Sequence, residues 1–176
     1  MRKLKNSELG RKSIEEYKKS SKIPLTIVLD NIRSMNNIGS VFRTSDAFSV
    51  EKIFLCGITA QPPHNDIRKT ALGATESVDW QYFDTTKNAV NHLISEDYII
   101  ISIEQAENSI LLQDFEIDTE KKYALIFGNE VKGVQQNIVD MSNYCIEIPQ
   151  EGTKHSLNIS VSAGVVLWDL YKKIKF

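Results

Sequence analysis

Short apolar runs, rich in β-branched residues, recur along the chain and alternate with segments that have helical periodicity. The runs around Ile99 and Ala124 are apolar almost continuously, which is typical of strands that helices cover on both faces of a parallel sheet. The pattern predicts five strands, at 25–29, 52–57, 98–104, 122–128 and 144–149.

Helix-like segments fill the intervals between the predicted strands. Ser13 with Glu16, and Thr86 ahead of an apolar-periodic run, have the form of N-terminal capping signals. Strands that alternate with helices predict an α/β fold, a mostly parallel sheet flanked by helices with right-handed crossovers. The predicted helices lie at 38–48, 86–95, 134–141 and after Leu157.

Length and composition indicate one globular domain. The chain has 176 residues, of which 41% are hydrophobic and 25% charged, close to the averages for folded proteins. No apolar run approaches the roughly 20 residues of a membrane span, and the charged N-terminus lacks the apolar core of a secretory signal. Cys56 and Cys145 have no CxxC spacing and are interpreted as buried thiols of a reducing compartment. We therefore expect a cytoplasmic protein without a membrane segment.

The charge is unevenly distributed. The formal net charge is −2, which argues against binding of nucleic acid by bulk attraction. Residues 1–23 nevertheless hold eight Lys and Arg against three Glu, a charge of +5, so that residues 24–176 carry −7. We predict a basic arm at 1–23 and a folded domain at 24–176. The arm could follow a polyanion, and a solvated helix face explains its charge equally well.

Several common functional motifs are absent from the sequence. No two glycines have G-x-G spacing, which excludes the dinucleotide fingerprint, and no G-x-S-x-G hydrolase elbow is present. The spacing from Gly128 to Gly133 fits a phosphate loop, but Val134 and Gln135 follow where Lys and Ser or Thr are required. The three histidines lack metal-ligand spacing, so no metal site is expected.

Polar residues concentrate in three loops that follow predicted strands, where ligands bind in parallel sheets. The first loop carries Asn37, Gly39 and Arg43, which an N-cap and a surface arginine would also explain. The second is a glycine-flanked turn at 128–133 that contains an amide and a carboxylate. The third runs from Ile148-Pro149 to the Ser156-Leu-Asn-Ile-Ser160 segment at a helix start, where Ser and Asn could simply be caps.

Together the three loops resemble the signature motifs of the SpoU family of RNA ribose 2′-O-methyltransferases, in the SPOUT superfamily. The motifs N-x-G-x-x-x-R, G-N-E-x-x-G and I-P…S-L-N-x-S occur in this order over residues 25 to about 170. The resemblance implies a C-terminal deep trefoil knot that binds S-adenosylmethionine. It also implies a homodimer in which the Arg43 loop approaches the partner's cofactor site.

The resemblance assigns roles to individual residues. Arg43 would act as a base or as a clamp on phosphate and the developing 2′-oxyanion; a charged guanidinium has no acceptor, which favours the clamp. Asn37 would orient Arg43. The implied catalytic set is Arg43, Asn37, Glu130, Ser156 and Asn158. The implied cofactor-binding set is Ile103, Glu104, Gly128, Asn129, Gly133, Ile148 and Leu157.

The expected reaction is methyl transfer to a ribose 2′-hydroxyl of RNA, with tRNA favoured over rRNA because the chain has no large appended domain. Two alternatives are a non-catalytic cofactor- and RNA-binding assembly factor, and a base methyltransferase of the same superfamily. The complete set Asn37, Arg43, Glu130 and Asn158 favours the enzyme over the assembly factor. The Ser156-Leu-Asn158 segment argues against the base methyltransferase.

Overall fold

The structure, a computed structural model, describes the backbone of residues 1–176 and every side chain except that of Asn6. Its centre is a seven-stranded sheet in which all neighbouring strands run parallel, in the order β3-β2-β1-β6-β4-β7-β5. The strands are β1 (Ile23–Asp30), β2 (Val50–Cys56), β3 (Asp79–Phe83), β4 (Tyr98–Ile103), β5 (Ile110–Leu111), β6 (Lys122–Phe127) and β7 (Tyr144–Glu147).

Helices connect the strands and cover both faces of the sheet. Two short 3-10 turns, Asn6–Glu8 and Leu112–Asp114, complete the secondary structure. The helices are α1 (Ile14–Lys19), α2 (Met35–Ala47), α3 (Asn65–Ala71), α4 (Ala74–Ser77), α5 (Thr86–Ser95), α6 (Gln136–Val139) and α7 (Ile159–Lys175).

The two faces of the sheet form separate cores. Helices α1 to α4 and α7 contribute to the larger core, and α5 and α6 contribute to the smaller one. Strand β1 alternates between them: Ile27 lies in the larger core and Val28 in the smaller, both fully buried. Burial on both faces explains the continuous apolar runs of the central strands and confirms the predicted α/β class.

The chain returns twice to the interior of the sheet. Strand β6 lies between β1 and β4, and β7 lies between β4 and β5, so both are inserted between strands that occur earlier in the sequence. This brings the loops that follow β4, β6 and β7 side by side at one edge. The trefoil knot that the family resemblance implies stays a prediction.

The sequence predictions miss elements at the sheet margins and several boundaries. Strands β3 and β5 and helices α3 and α4 were not predicted, α1 was indicated only by its capping signal, and β1 extends the predicted 25–29 strand in both directions. The predicted 134–141 helix is reduced to α6, and α2 begins at Met35 because Ser34, not a residue near 38, caps it. Thr86 is not the N-cap of α5 but its first helical residue. The cap is Thr85, whose side-chain oxygen accepts a hydrogen bond from the backbone amide of Asn88.

The basic N-terminal segment is packed against the domain. Ser13 and Glu16 form a complete capping box that begins α1, as the sequence indicates. Tyr17 is only 6% exposed and belongs to the larger core. Ile23, the last residue of the predicted arm, begins β1 and is buried. Deleting residues 1–23 would therefore remove part of the core together with the charge.

No helix in the described part of the chain has the length and apolar character needed to cross a membrane.

Candidate functional site

A cleft of about 1030 Å³ opens where β4, β6 and β7 end. Its wall includes the predicted catalytic residues Glu130, Ser156 and Asn158. The wall thus contains three of the five predicted catalytic residues and the whole of the predicted cofactor set, Ile103, Glu104, Gly128, Asn129, Gly133, Ile148 and Leu157.

The turn at 128–133 forms one wall of the cleft and is closed by its own backbone. Asn129 and Gly133 exchange backbone hydrogen bonds, with N–O distances of 3.1 and 2.8 Å. A Cβ on Gly128 would lie 2.1 Å from the carbonyl carbon of Gly133, so only glycine fits here. The Asn129 amide donates to the Asn31 carbonyl, and its oxygen accepts from the turn backbone. Both the side chain and the backbone of Asn129 therefore hold the turn in shape.

Glu104 supports the same turn from the end of β4. Its carboxylate accepts the amide of Val134 at 2.9 Å and the amide of Gln105 at 3.0 Å. Gly133 adopts a φ of +67°, and a Cβ there would lie 2.2 Å from the Glu104 carboxylate. Glu104 thus lines the cleft while it fixes the conformation of the turn.

Glu130 connects the turn to the first helix of the site. Its carboxylate accepts the backbone amides of Arg33 and Ser34 at 3.0 and 2.9 Å, at the N-terminus of α2. Partial burial tends to raise the pKa of Glu130, but the hydrogen bonds from Arg33 and Ser34, with further ones from its own amide and from Asn37, outweigh burial and lower that pKa. The carboxylate is consequently held ionised, next to the positive end of the α2 dipole.

Asn37 joins the second and third predicted loops. Its amide nitrogen donates to Glu130 at 3.3 Å, and its oxygen accepts from the Asn158 amide at 3.2 Å. Asn158 in turn caps α7, because its side-chain oxygen accepts the amide of Ser160 at 2.9 Å. Residues from three distant parts of the sequence therefore form one hydrogen-bonded chain at the mouth of the cleft.

Arg43 lies apart from this cluster. It is exposed, six residues beyond Asn37 on α2, which is about 9 Å along the helix axis. It lines a second cavity, between α1 and α2, and not the cleft. Within one chain Asn37 forms no hydrogen bond with Arg43 and binds Glu130 and Asn158 instead, so the expectation that Asn37 orients Arg43 stays a prediction.

The sequence analysis missed Asp30, a fully buried carboxylate at the end of β1. Asp30 accepts from the Asn31 amide, from the Thr86 hydroxyl, and from both the backbone and the side chain of Gln135. Gln135 directly follows the 128–133 turn and Val134, so Asp30 anchors the wall of the cleft to β1. An acidic residue that ends an apolar strand was the available signal.

Among the described side chains, no group of three or more His, Cys, Asp or Glu is arranged to hold a metal ion.

The fold and the cleft define a class: a parallel α/β domain whose ligand cleft is built from three loops at the carboxyl edge of the sheet. Residues 24–168 match the SpoU rRNA Methylase family, and the chain belongs to that family. Membership confirms the family resemblance, the fold class and the prediction of a methyltransferase.

Two curated relatives illustrate the similarity. An uncharacterized tRNA/rRNA methyltransferase of Borreliella burgdorferi is 29% identical over 92% of this chain and 69% of the relative. A tRNA (guanosine(18)-2′-O)-methyltransferase of Thermus thermophilus is 27% identical over 95% of this chain and 84% of the relative. The chain spans only 63% of the length of several staphylococcal TrmH family relatives.

Solved structures share the fold. A TrmH/SpoU tRNA modifying enzyme of A. aeolicus superposes with a TM-score of 0.80 at 22% identity, over 91% of this chain and 80% of that one. A second structure, solved for the 2-OH methylation of C/U34 on tRNA, superposes with a TM-score of 0.74 at 21% identity. The match covers 85% of this chain and 95% of that one. AviRb of Streptomyces viridochromogenes, in complex with AdoMet, has a TM-score of 0.77 at 20% identity, over 89% of this chain and 60% of that one.

Proposed function

We propose that this protein transfers a methyl group from S-adenosylmethionine to a ribose 2′-hydroxyl of RNA, with tRNA as the preferred substrate, in the cytoplasm. The observation that carries the proposal is the hydrogen-bonded chain Glu130–Asn37–Asn158 at the mouth of the large cleft. Family membership and the tRNA named for the Thermus thermophilus relative support it. So does a structural neighbour associated with tRNA methylation, of which this chain covers 95%.

The cleft suits the proposed cofactor. Ile103, Ile148 and Leu157 offer apolar side chains to the adenine faces, and backbone groups of the turn at 128–133 offer donors and acceptors to its polar edge. The volume of about 1030 Å³ lies at the upper end of ordinary ligand sites. When bound, the cofactor supplies an electrophilic methyl group on a sulfonium.

The protein's own residues would position the ribose. Methyl transfer requires the nucleophilic oxygen, the carbon and the leaving sulfur to align, so that orientation is the main contribution to rate. Asn158 and Ser156, on the third loop, would bind the RNA backbone beside the cofactor. Glu130, fixed by the amides at the start of α2, would hold Asn37 and Asn158 in place.

A second copy of the chain would complete this site. Arg43 lies outside the cleft of its own chain. Helix α7 begins at the Asn158 cap and exposes an apolar stripe of Val161, Val165 and Trp168, with exposed fractions of 51%, 39% and 51%. Because large exposed apolar patches mark interaction surfaces, we propose a homodimer in which α7 packs on its partner and Arg43 reaches the partner's cleft.

Labelled S-adenosylmethionine tests the proposed activity. The wild-type protein should transfer label to tRNA more readily than to rRNA, and Arg43→Ala should lower the rate about a hundredfold or more, because the charge on the 2′-oxygen loses its clamp. Arg43→Lys keeps the charge without the planar fork and should retain part of the activity.

Arg2→Ala, an exposed arginine that pairs with Glu8, is the matched control and should leave the rate unchanged. RNA binding without transfer to any RNA would contradict the proposal and favour the assembly factor.

A further inference from the structure

A second cavity, distinct from the large cleft, has a volume of about 510 Å³ and lies between the N-terminal segment and helices α2 and α4. It lies within the ordinary size range of small-molecule sites. The residues that matter here are Arg11, Lys12, Tyr17, Arg43, Asp46 and Ser77.

Three cations border this cavity. Arg11 and Lys12 come from the segment ahead of α1, and Arg43 comes from α2. All three are exposed, and none forms an ion pair with a described carboxylate. Two separate parts of the sequence therefore bring three cations without ion-pair partners to one cavity, where they outnumber the single carboxylate of Asp46, an arrangement suited to a phosphate group.

The cavity also contains hydrogen-bonding groups that point to a polar ligand. The Tyr17 hydroxyl is buried and has no hydrogen-bond partner among the described residues, although Tyr17 itself is 6% exposed. Burial, followed by the charges of Asp46 and Asp79, raises the pKa of Tyr17, so the hydroxyl stays a donor. The carboxylate of Asp46 accepts the Ser77 hydroxyl and can accept a further donor. A buried hydroxyl without a partner is costly, and a polar ligand in the cavity would supply that partner.

We propose that this cavity binds one nucleotide of the RNA substrate, with its phosphate between Arg11, Lys12 and Arg43 and its base beside Tyr17 and Asp46. The ligand class rests on the proposed function, because the RNA supplies the nucleotide. A carboxylate accepts from base amino and imino groups, and the Tyr17 hydroxyl can donate to an acceptor on the base edge. Since Arg43 borders the cavity, the bound nucleotide would lie next to the one whose ribose reacts.

Charge neutralisation tests the phosphate part of the site. The double variant Arg11→Gln/Lys12→Gln is compared with Lys18→Gln/Lys19→Gln, which removes the same charge from exposed α1 residues that do not line the cavity. Binding of a tRNA is measured at several salt concentrations. The cavity variant should lower the slope of log affinity against log salt by about 0.7, since the cavity holds one phosphate and each phosphate contact on a single strand contributes about 0.7. The control pair should change the slope much less.

Tyr17→Phe tests the interior of the cavity. It removes a hydroxyl without a partner, so the thermal midpoint should stay the same or rise, whereas affinity for the tRNA should fall about two- to tenfold. Tyr144→Phe, whose exposed ring lies on β7 away from the cavity, should change neither property. A role confined to packing would leave RNA affinity unchanged in Tyr17→Phe.

Three outcomes would overturn the nucleotide site. These are equal slope changes for the two charge variants, unchanged RNA affinity in Tyr17→Phe, or dissociation of a dimer by Arg11→Gln/Lys12→Gln, which would make the cavity an interface between copies. RNA affinity is measured throughout without cofactor. If RNA binding responds as expected while no methyl transfer occurs, the proposed activity fails and the nucleotide site stands.

Discussion

Single carboxylates hold the candidate site together. Glu130 binds the α2 amides and Asn37, and Asp30 ties Gln135 to the end of β1. The two acids differ in burial: Glu130 is exposed, whereas Asp30 is fully buried. Their removal should therefore affect the protein in different ways.

Glu130→Gln should destabilise the protein in a pH-dependent manner. The folded-state pKa of Glu130 is lowered from 4.5, so its stabilisation is fully present above about pH 4.5 and is lost as pH falls through the folded pKa. Because the group is exposed, we expect a loss of about 1 kcal/mol at pH 7, roughly 2–4 °C in thermal midpoint. The difference in thermal midpoint between the variant and the wild type should shrink below pH 4.5.

Thermal unfolding between pH 3 and 7 measures this difference. Glu116→Gln is the control, because Glu116 is exposed and its carboxylate forms no hydrogen bond in the described structure. A gap between wild type and Glu130→Gln that stays constant with pH would disprove the assigned role of the carboxylate.

Asp30→Asn should weaken both stability and cofactor binding. The new amide would direct N–H groups toward donors on Asn31, Thr86 or Gln135, at a cost of about 1–3 kcal/mol. Displacement of Gln135 should raise the KM for S-adenosylmethionine more than it lowers kcat. Asp84→Asn, at an exposed position in the loop before α5, is the control. Unchanged KM in the Asp30 variant would limit Asp30 to a structural role.

At the residue scale, the sequence motifs predicted the cluster but not all of its links. Asn37, Glu130 and Asn158 were predicted for one site, and the structure joins them. Asp30 was missed because its partner Gln135 lies 105 positions away. The position of Arg43 outside the cleft could not be deduced, since its place depends on how α2 lies relative to the loops.

At the scale of elements, periodicity predicted the central strands and missed the margins. Strand β3 is at an edge with an exposed or half-buried pattern, and β5 has only two residues, so neither has the continuous apolar run of a buried strand. Helices α3 and α4 are short and hold their places by packing on α2. These elements are stabilised by tertiary contacts, which the local pattern of hydrophobic residues does not reveal.

Close backbone approach in the 128–133 turn gives an element-scale prediction. In Gly128→Ala the new Cβ would meet the backbone of Gly133 and Val134 at 2.1 Å, so the turn must shift, at a cost of about 1–3 kcal/mol. Cofactor affinity should fall as well. Isothermal titration with S-adenosylmethionine and thermal unfolding check both effects.

Gly152→Ala is the matched control for Gly128→Ala. Gly152 lies in the third loop of the site, and an added Cβ would meet no atom within 4 Å. Equal behaviour of the two variants would show that close approach of the backbone is not what requires glycine at 128.

At the scale of the whole molecule, the exposed stripe on α7 predicts the quaternary structure. Trp168→Glu places a charge on the largest side chain of that stripe and should convert a dimer into a monomer in analytical ultracentrifugation. Ile94→Glu, a 47% exposed apolar residue on α5, should leave the dimer intact. A wild-type protein that sediments as a monomer would contradict the proposed dimer.

Mixing two inactive variants tests whether Arg43 acts in the partner's cleft. Arg43→Ala would remove the proposed clamp, and Leu157→Arg would place a long cation beside the apolar residues of the cleft. Each heterodimer would contain one intact composite site, so an equal mixture should recover about a quarter of the wild-type activity. No recovery, although heterodimers form, would place Arg43 in the cleft of its own chain.

Alkaline hydrolysis of labelled RNA tests most directly whether the methyl group is transferred to the ribose. Alkaline cleavage requires a free 2′-hydroxyl, so a nucleotide methylated on its ribose remains in an alkali-resistant dinucleotide. We expect label from S-adenosylmethionine in such dinucleotides, with their amount reduced about a hundredfold or more by Arg43→Ala. Label recovered in mononucleotides would mean that a base is methylated and would contradict the account.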